Sequence, residues 1–278
     1  MHNSEKIILH SLLDIKIVLL LFVMPWLLKK CYWFIWGRDL YTYKLGDKNW
    51  KWTVKEFIRR PVIRNMGNLV TYIKGDFDLA VDWYNAKGMH YACFMYPSNI
   101  FDPSIINIEK YVRHGTVNIL VGNSADSSND HLDIFRMLAN VDLGEYRIFC
   151  PLSYGDKEYA EKIKLEGERR FGSRFIPLTQ ILPYEEYLKF LSEIDVAIFN
   201  HARQQGMGNT INLVGMGKKV YMRSETVQWE FFCQRNIKVF DIEDGISLDF
   251  SLDLRSNVER IKNIFSKDCL NKQLIELF

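Results

Sequence analysis

The chain is poor in the features that fix a function at once. Five cysteines in 278 residues, none in a CxxC pair, leave no disulfide framework and no cysteine metal knuckle. Cys31, Cys93 and Cys150 sit inside apolar, strand-like runs, where reduced and buried thiols are expected, so a reducing compartment fits better than secretion. No HExxH, no GxxxxGK[ST] loop and no GxSxG elbow occurs, which excludes the zinc-protease, P-loop and serine-hydrolase signatures. His114, His131 and His201 have no paired spacing, so no metal ion and no other cofactor is expected. The strongest membrane candidate, Ile17–Leu28, is only a dozen residues, short of the roughly 20 that a spanning helix needs. It runs into Lys29-Lys30-Cys31-Tyr32-Trp33 rather than a small-residue cleavage site, so it reads as a buried or membrane-touching helix.

What is present is unevenly spread. The formal net charge is +2, but residues 1–115 carry 16 Lys+Arg against 10 Asp+Glu, and the remainder 20 against 24. Six of the seven tryptophans also lie in the first part. A basic, aromatic-rich segment joined to a mildly acidic one predicts two domains with different partners. The expected boundaries are 1–112 for the first, 113–250 for the second, and 251–278 for a C-terminal helix that crosses back to the first. Pro97–Gly115, with two prolines and no periodicity, is the predicted linker.

In the first part, Cys31–Trp36 reads as a buried strand ended by Gly37, with Arg38-Asp39 just beyond its carboxyl end. That is where ligands and catalytic groups collect in open α/β sheets. A basic helix over Trp50–Arg59, a strand over Asn68–Tyr72, a helix over Asp76–Tyr84 and a strand over Tyr91–Tyr96 follow. These units are few, as if an initial strand–helix unit were missing or replaced. From Thr116 the alternation becomes regular. Strands at Val117–Val121, Tyr146–Cys150, Arg174–Ile176, Val196–Phe199, Lys219–Met222 and Ile237–Phe240 are separated by helical segments. Such repetition implies a parallel sheet with helices on both faces.

Two loops carry the chemistry. After Val117–Val121 comes Gly122-Asn123-Ser124, then Ser127-Ser128 as helix caps and Asp130 and Asp133 in the first helical turn. After Val196–Phe199 comes NHARQQGMGN (200–209), where Gly206 and Gly208 let the backbone approach a ligand and the next helix directs N–H groups at an anion. Gln204, Gln205, Asn209 and Thr210 add neutral donors. This is not the dinucleotide fingerprint, because Ile211 stands where Gly or Ala is required. Tyr154-Gly155-Asp156 forms a third strand-to-helix loop, either of the same kind or a plain turn with Asp156 as the cap. Two or three such loops in one sheet fit a nucleotide diphosphate, and His201 is a candidate contact to its pyrophosphate.

Around Lys29, Lys30, Arg38, Lys44, Lys48, Lys51, Lys55, Arg59 and Arg60 the first part interleaves Trp26, Tyr32, Trp33, Trp36, Tyr41, Tyr43, Trp50 and Trp52, with Trp33 and Trp36 as plain core residues the alternative. Basic and aromatic residues together suit a nucleic-acid surface or a membrane interface. The membrane reading is preferred, and nucleic acid is not an expected partner, because no strongly basic whole domain is present.

The strings WFIWGRDLY (33–41), ILVGNSADSSNDH (119–131), CPLSYGD (150–156) and QQGMGNTINLVGMGKKVYMR (204–223) are similar to those of the bacterial TDP-N-acetylfucosamine:lipid II N-acetylfucosaminyltransferases, glycosyltransferase family 56. The resemblance implies an α/β GT-B architecture, two Rossmann-like domains facing across a cleft, here with a shortened N-terminal domain. It implies a TDP-sugar donor in the C-terminal domain and a polyprenyl-diphosphate-linked acceptor met by the N-terminal domain. It also implies no bound metal and a peripheral place at the cytoplasmic face of the inner membrane. On it, Asp39 is the candidate general base, with a loop-capping aspartate as the alternative. Gly122, Asn123 and Ser124 line the site, Gln205, Gly206, Gly208 and Asn209 touch the diphosphate or sugar, and Tyr154, His201 and Thr210 complete the expected contacts. The alternative function is a non-catalytic nucleotide-sugar-binding partner of a polysaccharide assembly complex.

Overall fold

The computed structural model describes residues 4–105, 115–141 and 144–278. His114 and the linker residues 106–114 lie outside the described residues. The chain forms two compact units. The first comprises Met1–Pro97, Arg203–Gln205 and Leu270–Phe278, and the second Ser98–Ala202 and Gly206–Cys269.

The first unit holds a four-stranded parallel sheet in sequential order, β1 (Ile7–His10), β2 (Cys31–Phe34), β3 (Asn68–Val70) and β4 (Met89–Tyr91). The sequence reading began this sheet at Cys31. The structure supplies the strand–helix unit before it, β1 and α1 (Ile15–Val23). A four-residue strand that alternates buried and exposed is too short to show a period against the apolar run that follows. Pro25 ends α1, and Pro25–Lys30 tightens into a 3₁₀ turn. Ile17–Leu28 is thus split, and among the described residues no helix is long and apolar enough to cross a membrane.

After β2 come α2 (Arg38–Leu45) and α3 (Trp50–Arg64). Asn49 caps α3 by accepting from the Trp52 N–H at 3.0 Å. The helix runs one turn beyond the predicted end at Arg59, because Pro61 is carried inside it. β4 also lies two residues earlier than predicted, since the apolar stretch Ala92–Tyr96 continues past the paired segment. α4 (Lys74–Tyr84) follows β3. A last helix, α11 (Lys267–Leu277), is tied to this unit: the Phe94 N–H donates to Gln273 Oε1 at 3.0 Å, and Lys6 Nζ donates to the Leu277 carbonyl at 2.7 Å.

The core of the first unit includes Leu9, Leu21, Trp33, Leu40, Ile63 and Leu69, and a buried polar node is set into it. Arg59 donates to the carbonyls of Leu12 at 2.7 Å and Asp39 at 2.6 Å, and to Glu56 at 3.0 Å. One guanidinium therefore joins α3 to the turns after β1 and β2.

The second unit is a six-stranded parallel sheet in the order β10-β9-β8-β5-β6-β7. The strands are β5 (Val117–Val121), β6 (Tyr146–Pro151), β7 (Phe175–Leu178), β8 (Val196–Phe199), β9 (Lys219–Met222) and β10 (Phe240–Asp241). Between them run α5 (His131–Ala139), α6 (Lys157–Phe171), α7 (Tyr184–Ser192), α8 (Met207–Gly215) and α9 (Val227–Cys233), and α10 (Arg255–Ile264) packs on α8. β8 and β9 are buried at every residue, as expected of strands covered on both faces. One face of the sheet packs Ile119, Val121, Ile148 and Ile198 against Ile134 and Phe135, whose ring meets Phe171 and Phe175 edge-on at 5.4 and 5.6 Å. The order is that of a doubly wound fold: the chain moves outward from β5 through β6 to β7, then returns to the other side of β5 with β8.

Replacing Arg59 by Leu leaves Glu56 buried without its cation and two carbonyls without a donor, and is expected to cost about 3 kcal/mol. The double change Arg59→Leu with Glu56→Leu is expected to cost less, because Glu56 no longer stands as a buried charge without its cation. Urea unfolding followed by tryptophan fluorescence reads this unit directly, since six of the seven tryptophans lie in it.

Candidate active site

In the second unit β5 and β8 are adjacent and parallel, so the loops that leave their carboxyl ends begin side by side, where the sheet order reverses. Both loops turn on a glycine in the left-handed region. Gly122 has φ +68°, and a Cβ there would stand 2.5 Å from His131 Nε2. Gly206 has φ +63° and caps α8, and its Cβ would meet the side chains of Asn123 and His201 at 3.2 Å. Any other residue at either position pays backbone strain and displaces a neighbour.

Asn129, which the sequence reading passed over, is fully buried and holds the two loops together. Its Oδ1 accepts the Asn123 N–H at 2.9 Å and faces His201 Nε2 at 3.0 Å. Its Nδ2 donates to the Asp126 carbonyl at 2.9 Å and to Ser124 Oγ at 3.3 Å. The carbonyl partner fixes the orientation of the amide, so His201 must donate from Nε2. The only sequence signal for this role is that Asn129 falls in a Ser-Ser-Asn-Asp stretch that turns before the helix. The capping also differs from expectation. Asp126, not Ser127 or Ser128, caps the short turn, its Oδ1 accepting from Ser128 N at 3.0 Å. Asp130 has a left-handed backbone, φ +48°, and stands before α5. Its carboxylate accepts from Arg223 Nη2 at 2.6 Å, and Arg223 Nε donates to Asn200 Oδ1 at 2.6 Å. Arg223, just past β9, thereby sets a cation beside the β8 loop.

The loop after β6 joins the same group. The Ala125 N–H donates to the Tyr154 carbonyl at 2.8 Å and the Asp156 N–H to the Ala125 carbonyl at 2.9 Å. Asp156 caps α6, while the Tyr154 hydroxyl accepts from Asn123 Nδ2 at 3.2 Å. Asn123, Tyr154, Gly206, Gly208 and Asn209 line a cavity of about 330 Å³, and Tyr184 and Tyr187 of α7 add aromatic walls. Two larger depressions, of about 460 and 470 Å³, lie around Lys219 and Phe240, where no strand-end glycine loops converge. Chemistry in a sheet of this order belongs at the carboxyl ends, so the smaller cavity is the candidate site.

Gly122, Asn123, Ser124, Tyr154, His201 and Gly206 thus stand on three neighbouring loops of one unit, with Gly208 and Asn209 in the first turn of α8 beside them. Thr210 does not face the cavity. It is fully buried, its hydroxyl donating to the Gly206 carbonyl at 3.1 Å and accepting from Gln228 Nε2 at 3.0 Å, so it supports the turn from beneath. Gln205 is buried and belongs to the first unit. Among the described residues no three His, Cys, Asp or Glu side chains group as a metal site.

In the first unit Asp39 stands just past β2, as predicted, but it is fully buried. Its Oδ2 accepts from Trp33 Nε1 at 2.7 Å and the Leu12 N–H at 3.0 Å, and its Oδ1 from the Trp36 N–H at 3.1 Å. Burial pushes the carboxyl above its usual range, against the pull of those donors and of Arg59. This geometry is that of the loop-capping alternative. Gly37 beside it has φ +82°, and a Cβ there would collide with the Gln204 carbonyl at 2.4 Å. A second buried carboxyl, Asp76 in the first turn of α4, was not singled out in the sequence. It accepts from the Tyr41 hydroxyl at 3.2 Å, and burial raises it to about 7.

A family model described as 4-alpha-L-fucosyltransferase, glycosyl transferase group 56, matches residues 1–272. Among solved structures, sucrose-phosphate synthase from Thermosynechococcus elongatus superposes with a TM-score of 0.69 at 11% identity, over 92% of this chain and 70% of that one. A trehalose-6-phosphate structure from E. coli, bound with UDP-2-fluoro glucose, gives 0.65 at 9% identity, over 99% and 73%. WaaG, a glycosyltransferase involved in lipopolysaccharide biosynthesis, gives 0.56 at 10% identity, over 98% and 72%. These likenesses show the fold, a mixed α/β arrangement of the GT-B glycosyltransferase type.

Asp39→Asn turns an amide NH₂ toward an N–H donor and is expected to lower the melting temperature, at about 1–3 kcal/mol per unsatisfied group. Unchanged melting with a kcat loss beyond about a hundredfold would return the base role to Asp39. Burial holds the His131 ring down at about 4, against an ordinary value of 6.5. The folded form therefore resists a proton that the unfolded chain accepts, so stability is lost as pH falls from about 6.5 to about 4. His131→Phe should flatten that acid limb in denaturant titrations followed by circular dichroism.

Proposed function

The chain belongs to glycosyl transferase group 56, and from that premise we propose that it moves a deoxyamino sugar of the N-acetylfucosamine type from a TDP carrier to a polyprenyl-diphosphate-linked saccharide. The observation that carries the donor half is the pair of left-handed glycine turns, Gly122 and Gly206, at the carboxyl ends of adjacent strands β5 and β8. The N-terminus of α8 follows one of them directly, so its free N–H groups and positive dipole end suit a diphosphate. Arg223, held between Asn200 and Asp130, supplies positive charge on the same edge. The cavity walled by Tyr154, Tyr184 and Tyr187 suits a flat or ring-shaped part of the donor, with Asn123 and Asn209 as polar contacts.

In the reaction, the acceptor hydroxyl oxygen forms a bond to C1 of the donor sugar. The C1–O bond to the diphosphate breaks, TDP leaves with that electron pair, and the hydroxyl proton passes to a base. The charge that grows on the leaving diphosphate meets N–H groups already aimed at it, which need no reorganisation. On the acceptor side Asp39 fixes the turn after β2. The acceptor's lipid carrier puts the protein peripherally at the cytoplasmic face of the inner membrane.

Saturation-transfer NMR with TDP and UDP tests the donor half. We expect TDP to bind, and Gly206→Val to weaken it at least about tenfold by straining the turn and crowding Asn123 and His201. Failure of both nucleotides to bind would overturn the reading.

A further inference from the structure

The helix α3 is amphipathic in the wrong sense for water. Its inward positions include the charged pair Glu56 and Arg59, whereas Trp50, Val54 and Phe57, spaced four and three residues apart, form an outward stripe. Trp50 is 72% exposed and Phe57 74%. The neighbouring α1 repeats the pattern: only Val18 and Leu21 are buried, and Leu19, Leu20, Phe22 and Val23 are exposed. The rings of Phe22 and Phe57 lie 6.5 Å apart, which joins the two stripes into one apolar face. Scattered exposed hydrophobics need no explanation, but a continuous face marks an interaction site.

Charge selects the partner. The exposed charged residues on these two helices are Lys16, Lys51, Lys55, Arg60 and Arg64, all basic. The one acidic residue, Glu56, is buried and paired with Arg59. Lys51 lies over the Trp50 ring, its Nζ 5.9 Å from the centroid. Protein interfaces deplete lysine at their centres. Amphipathic aromatics flanked by Lys and Arg are instead what the headgroup layer of an anionic bilayer accommodates. At nine residues α1 is roughly 14 Å long, so it can lie in that layer but not cross it.

We propose that the joined face of α1 and α3 seats the first unit on an anionic phospholipid surface, with Trp50, Phe57, Phe22 and Val23 entering the headgroup layer and Lys51 and Lys55 pairing with lipid phosphates. The inference rests on the preceding reading for its purpose, bringing the enzyme to a lipid-borne acceptor, while its evidence is the helix surface alone.

The test is co-sedimentation of the full chain with vesicles of phosphatidylcholine alone or mixed with phosphatidylglycerol. The expected result is binding to the anionic vesicles that weakens with added salt. Trp50→Ser with Phe57→Ser should weaken it at least about tenfold, and Lys51→Glu with Lys55→Glu by about fivefold or more per position. All four side chains are exposed, so circular dichroism and TDP binding should be unchanged in these variants. Wild-type binding by the variants, equal binding to neutral vesicles, or no vesicle binding would overturn the proposal. Self-association through Trp50 and Phe57 without vesicle binding would overturn it in favour of a protein interface. Vesicle binding without TDP binding would sink the donor reading and leave this one standing; TDP binding without vesicle binding would do the reverse.

Discussion

The parallel pairing of β5 with β8 is the constraint on which the candidate donor site depends. The crossover from β5 leads outward to β6, and the later return to the opposite side of β5 brings the loops after β5 and β8 side by side. Gly122 and Gly206 let those loops turn within the space available; His131 and Asn129 fill the space beside the first, and Asn123 and His201 the space beside the second. Without that pairing the same residues would be two unrelated glycine turns 84 positions apart.

Both units spend buried polar groups to fix a backbone. Asn129 uses its amide to clamp the β5 loop internally and to meet His201 of the β8 loop. Asp39 and Arg59 do the equivalent around β2, the carboxylate gathering N–H groups and the guanidinium gathering carbonyls. Such nodes contribute little net stability when complete and are costly when one member is lost. Their value lies in geometry. They hold strand-end turns in one conformation, which a site needs if binding is not to spend its energy on ordering loops.

The first unit adds a surface that water does not explain. Because Glu56 and Arg59 point inward to complete the polar node, the opposite side of α3 is left to Trp50, Val54 and Phe57. The internal hydrogen-bond network and the outward apolar face are two sides of one helix. The first holds the turn after β2, and the second is the face we propose for a lipid surface.

Sequence alone determined the family resemblance, the alternation of strands and helices from Thr116 onward, and the two glycine loops, because strand-ending glycines and helical apolar periods are local signals. It missed β1, whose four residues are too few to show a period, and it took 251–278 as one helix where α10 and α11 stand, the second tied to Lys6 and Phe94 far away in the chain. It named Asp39 but not the burial that makes its carboxylate a cap. It counted Thr210 as a contact, although that hydroxyl is used inside the helix packing. Asn129, Arg223 and Asp76 gave little signal, since an Asn or an Arg past a strand end and an Asp in a helix's first turn are ordinary until their partners are known. Those partners come from other strands and helices. Composition and spacing reach along the chain for a few residues, whereas burial and hydrogen bonding across a sheet are decided only when distant segments meet.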